Sequence, residues 1–170
     1  MFNSLLIAFI FLFGAKTTQE SKFTPKDAVA FQSAFQTVFQ AGMNKTKGLL
    51  SLKGTEKLQS QIAGLEKWSS TFNAPGFCCA SIDVGGNFTQ FSAIHEIKTE
   101  EELTEDANWL LKQTQTALGA DWKQEEMKNA FSPWSFEFQN ANEPKLTVSL
   151  IMTHVGELGG NVEVVVRDKE

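Results

Sequence analysis

The stretch CCASIDVGGNFTQFSAIHEIKTEEEL, Cys78 to Leu103, decides the fold. Ala80, Ile82 and Val84 alternate with Ser81 and Asp83, the two-residue period of a strand. Gly85-Gly86 then supplies a turn that tolerates positive φ. The alternation resumes from Thr89 to Ile97, with Phe91, Ala93, His95 and Ile97 on one side. The two runs read as a hairpin. After Ile97 the period changes. Thr99-Glu100-Glu101-Glu102 is a capping box, in which the Thr hydroxyl and the Glu102 carboxylate satisfy each other's free backbone N–H groups. Acidic side chains also suit the positive end of a helix. Leu103, Ala107, Leu110, Leu111, Ala117 and Leu118 follow at helical spacing, and Gly119 terminates the run.

Working outward, Thr24-Pro25-Lys26-Asp27 starts an earlier helix. Ala28, Phe31, Phe35, Val38, Phe39 and Gly42 form its apolar face, which reads as core packing. Gly48 to Gly64 is a connection in which Leu58, Ile62 and Leu65 fit a short helix. Trp68 to Phe72 reads as a strand closed by the turn Asn73-Ala-Pro-Gly76. Beyond the central helix, Asp121 to Ala130 fits another short helix. Trp134, Phe136 and Phe138 alternate, as do Leu146, Val148, Leu150 and Met152, and then Val162, Val164 and Val166. The expectation is an α+β domain of order α-βββ-α-βββ. It has an antiparallel sheet of about six strands and two main helices packed on one face.

The chain has 170 residues, enough for one domain, read as residues 24–170. Fifteen Phe and four Trp in a 42% hydrophobic composition supply a core, while Tyr is absent. A net charge of −5 argues against nucleic acid as a partner, since phosphate binding needs clustered cations. Leu5 to Phe13 is an apolar run too short to span a membrane, where about 20 residues are needed. It has the length of a signal-peptide core, and Gly14-Ala15 offers small residues for cleavage. Residues 1–20 are therefore expected to be a leader, the mature protein secreted or periplasmic, with no integral span once the leader is removed. The head of this segment carries no Lys or Arg, so an uncleaved anchor is the alternative.

Three strings carry a resemblance: GLLSLKG (Gly48 to Gly54), WSSTFNAPGF (Trp68 to Phe77) and NVEVVV (Asn161 to Val166). With the element order, they make the chain similar to small secreted α+β proteins of unassigned function from Bacteroidota-type bacteria. The resemblance implies an exported bacterial protein and brings no catalytic residues with it. Such proteins often place one Cys after the Pro-Gly turn and another after the central helix. Here both follow the turn, so no disulfide carries across.

Cys78 and Cys79 are the two cysteines of the chain. In a strand their side chains point to opposite faces, one packed and one outward. Adjacent Cα atoms are about 3.8 Å apart, below the usual disulfide range that starts near 4.4 Å. Three readings stand: packing, pairing with another chain, and a strained vicinal disulfide. His95 and His154 lie on apolar faces, and Cys79, His95 and His154 converge if their strands lie side by side. Asp83 and Glu96 are a candidate acid pair. No zinc motif, dinucleotide fingerprint, phosphate loop or nucleophile elbow is present, so no cofactor or metal is expected. The leading expectation is an exported, non-enzymatic module that binds a small apolar ligand or a protein. The alternative is a thiol-dependent redox protein or enzyme using Cys78 or Cys79 with His95.

Overall fold

The computed structural model describes residues 25–44, 46–74, 76–97, 99–127, 132, 134–154 and 160–169. The expected leader and the Thr24 cap lie outside the described residues. Helix α1 (Pro25–Met43) buries Phe31, Phe35, Val38 and Phe39 along one face. A 3-10 turn (Gly48–Leu52) leads into a meander of four strands: β1 (Lys53–Leu58), β2 (Glu66–Ser70), β3 (Cys79–Val84) and β4 (Phe88–Ile97). Helix α2 (Glu100–Leu118) opens at Thr99, whose hydroxyl accepts the Glu102 N–H at 3.3 Å. It closes at Gly119, where φ is +82°. A second meander follows: β5 (Trp122–Glu126), β6 (Trp134–Asn140), β7 (Leu146–His154) and β8 (Gly160–Lys169).

The strands form one antiparallel sheet of order β1-β2-β3-β4-β8-β7-β6-β5. The α+β architecture with two helices agrees with the sequence reading. The strand count and order do not: eight strands replace about six, and each helix is followed by four. The added strands are β1 and β5, at the two edges of the sheet. Where Leu58 to Leu65 was expected to be helical, β1 ends at Leu58 and a turn follows. Within Asp121 to Ala130, Trp122–Glu126 is extended rather than helical. Both edge segments, KGTEKL and WKQEE, are polar and largely exposed. An edge strand gains its backbone bonds from one neighbour and needs no buried alternation, so pairing overrides local pattern. Its charges also discourage pairing with a second chain.

The register fixes the two faces. Trp68, Ile82, Phe91, Val166, Val148 and Phe138 stand opposite one another in a single row. This row faces the helices, and Ile82, Phe91, Val166, Val148 and Phe138 are buried. The helices meet each other through Phe31 against Trp109, with ring centroids 5.7 Å apart, and through Gln32 Nε2 donating to Gln113 Oε1 at 2.8 Å. Gln36 Nε2 also donates to the Ala117 carbonyl at 2.6 Å. The rings of Phe31, Phe35 and Phe39 form a column that ends edge-on against Trp122, 5.1 Å away. Each Phe so buried contributes roughly 1.5–3 kcal/mol. Trp122 therefore anchors β5 although the rest of that strand is exposed.

Candidate functional site

The opposite face of the sheet carries no helix among the described residues. Its central row runs Ser69, Ser81, Ser92, Val165, Ser149, Glu137 and Glu125 across seven strands. The neighbouring row runs Lys67, Asp83, Gln90, Arg167, Thr147, Gln139 and Lys123. The side chains at the middle are short and shielded: Ser92 is 3% exposed although it points away from both helices. Longer residues stand around them. Arg167 donates from Nε and Nη2 to Gln90 Oε1 at 2.8 and 2.5 Å, and its guanidinium lies 5.1 Å from the Phe88 ring. Gln90 in turn donates to Ser92 Oγ at 2.9 Å.

Asp83 breaks this pattern of satisfied groups. It is 7% exposed, and its Oδ1 accepts no hydrogen bond among the described residues. The nearest cation, Lys67 Nζ, stands at 4.0 Å. Burial raises the Asp83 carboxyl above the ordinary carboxylate range, and the Lys67 charge opposes that rise. The sequence reading paired Asp83 with Glu96, which the register corrects. Asp83 stands opposite Gln90, six residues along β4 from Glu96, or about 20 Å at strand rise.

Cys78 and Cys79 adopt an arrangement different from the expected one. Strand β3 begins at Cys79, while Cys78 lies in the bend before it. The alternation of a strand therefore does not separate them. Cys79 Sγ–H donates to Cys78 Sγ at 2.8 Å, and Cys78 Sγ–H donates to the Ile94 carbonyl at 3.3 Å. Both thiols are free and exposed, so neither is core packing. Partial burial of its sulfur, the Cys79 thiol and then the Glu96 charge push Cys78 up to about 12.

His95 is 2% exposed and lies on the helix side. Its Nδ1 is 2.6 Å from the Gly76 carbonyl oxygen, and its Nε2 is 2.8 Å from Asp106 Oδ2. A carbonyl oxygen only accepts, so Nδ1 carries a proton. A further proton then lies between Nε2 and the Asp106 carboxylate. The pair ties Gly76 to α2 through the His95 ring. Asn73 Nδ2 donates to the Phe77 carbonyl at 2.9 Å. Cys79 stands opposite Ile94, so it takes the face away from His95. His154 pairs with Gly160 in β7, two strands from β4, about 10 Å across the sheet. Among the described residues, no group of three or more His, Cys, Asp or Glu is placed to hold a metal ion.

The sequence reading missed Asp106. The signal was a carboxylate on the apolar side of α2, between Leu103 and Ala107, facing a histidine on an apolar strand face. An apolar void between α1 and the sheet, bordered by Phe31, Phe35, Phe72, Phe77 and Phe91, measures about 10 Å³. That is room for about one water. Among the described residues, no helix is long and apolar enough to cross a membrane. No family model, no curated protein and no solved structure matches this chain.

Proposed function

We propose that this chain is an exported, non-enzymatic binding module that holds a protein partner on the sheet face opposite α1 and α2. The observation that carries the reading is the Asp83 carboxylate, shielded and on that face, with an oxygen that accepts no hydrogen bond among the described residues. A buried acceptor without a donor is costly, and a partner's donor relieves the cost. The net charge of −5 favours a cationic donor, a Lys or Arg side chain of a protein segment. The small apolar ligand weighed from sequence has less support, because the void beside the Phe column has the volume of about one water. Pairing of the thiols with His95 also has less support, because both ring nitrogens are taken up by Gly76 and Asp106.

Photo-crosslinking in the cells that make the protein tests the reading. A benzophenone side chain at Gln139 or Glu163 samples the sheet face, and one at Asn108 or Thr116 samples the exposed side of α2. A discrete partner captured from the sheet positions and lost in an Asp83→Ala background is the expected result. Capture from α2 alone, or capture indifferent to Asp83→Ala, would overturn it.

A further inference from the structure

We propose that Cys78 and Cys79 are a redox-active vicinal dithiol that closes reversibly into a disulfide, with low-molecular-weight disulfides as its oxidant. Three observations carry this, and none depends on the proposed partner. The two sulfurs are in contact at 2.8 Å, so closing to a bond of about 2.05 Å moves them together by only roughly 0.8 Å. Both thiols are exposed, so a small oxidant reaches them. The bend at Cys78 removes the strand geometry that would hold the side chains on opposite faces.

The turn before the pair is held from several sides. His95 grips the Gly76 carbonyl, Asn73 grips the Phe77 carbonyl, and the Cys78 N–H donates to the Ile94 carbonyl at 3.0 Å. The bend is therefore built into the fold and brings the thiols together before any oxidant arrives.

The chemistry is thiol–disulfide exchange. Cys79 gives its proton to solvent, and its thiolate attacks one sulfur of the small disulfide, forms a mixed disulfide and releases one small thiolate. Cys78 then gives its proton to solvent, and its thiolate displaces the second small thiolate from Cys79. The protein loses two S–H bonds and gains one S–S bond, while the oxidant is reduced to two thiols. Cys78 is assigned the second step because partial burial and then its neighbours hold it protonated, so closure accelerates as pH rises. Neighbouring Cα atoms lie closer than an ordinary disulfide allows, so the ring is strained and readily reduced. Strained disulfides are the labile, regulatory kind.

The test uses the whole reduced protein with oxidised glutathione, followed by acid quench, alkylation and intact mass. The expected product has lost two hydrogens, takes up no alkylating agent, carries no glutathione and returns to the dithiol with dithiothreitol. Cys78→Ser, which leaves Cys79 without a resolving thiol, is expected to retain one glutathione. A wild-type protein that keeps two alkylatable thiols, holds glutathione as firmly as the variant, or becomes an interchain dimer would overturn the proposal.

Discussion

Single side chains place the tension of this fold where a polar group is buried without a full set of partners. Thr114 is fully shielded on α2, and its hydroxyl has no hydrogen-bond partner among the described residues. Replacing it by the isosteric Val removes an unmet desolvation cost of roughly 1–3 kcal/mol. Thr114→Val is therefore expected to raise the urea midpoint with an unchanged slope, and a lowered midpoint would show that the hydroxyl is satisfied in solution. Asp83 is the same problem with a charge. Its folded-state pKa is raised, so the carboxyl's contribution is fully present below its unfolded value. That contribution is lost as pH rises through the folded value. Asp83→Asn is thus expected to raise Tm at pH 7 by a few degrees, with a gain that shrinks toward pH 3. Should the same variant also lose the crosslinked partner, stability and binding would be in opposition at one residue, as binding sites often are. The His95–Asp106 pair works the other way. Removing one partner of a buried hydrogen bond costs about 1–3 kcal/mol, and more where the group is charged, so Asp106→Ala should unfold at lower urea. A loss under about 1 kcal/mol would reduce the contact to an ordinary hydrogen bond.

At the scale of elements, what the sequence discloses depends on how each segment meets the core. The helices are legible because Phe31, Phe35, Val38 and Phe39, and Leu103, Ala107 and Leu110, must each line up on one buried face. The strands from β2 to β4 and β6 to β8 are legible because alternation is forced where one face packs under helices. Strands β1 and β5 escape that demand, and their polar sequences carry no period to read. The site residues divide the same way. His95 is visible from its apolar phase, but its partner Asp106 arrives from another element and only the fold brings the two together. The thiol pair stays undecided in the sequence for a local reason: one residue of offset in the start of β3 decides whether neighbouring cysteines diverge or touch. Gly160, the first residue of β8, tests how firmly these ends are set. A Cβ there would fall on the Thr153 carbonyl oxygen and within 3.0 Å of the Leu103 side chain. Gly160→Ala is expected to cost about 1–3 kcal/mol, the range for overpacking. Amide exchange should accelerate first at the β7–β8 end, and a wild-type exchange pattern would mean the backbone yields there without loss.

For the whole molecule the question is whether its two halves are separate units. Each is a 19-residue helix followed by a four-strand meander, and they join where β4 pairs with β8. Ten residue pairs, from Phe88 with Lys169 to Ile97 with Gly160, form that seam. The core does not divide along it. Phe91 and Ala93 of the first half stand opposite Val166 and Val164 of the second, and Phe31 of α1 packs on Trp109 of α2. Splitting the halves would expose β4 and β8 along their length, together with the apolar seam between the helices. The sheet should therefore open from its edges inward as one cooperative unit. Native-state hydrogen exchange makes this measurable. Amides of β1 and β5 are expected to exchange first and with little dependence on denaturant. Amides in the middle of β4, β7 and β8 should exchange last, with a common free energy equal to that of global unfolding. Two plateaus instead, one for β1 to β4 and another for β5 to β8, would mean that each helix and its meander unfold independently. The seam would then be an interface between two small domains.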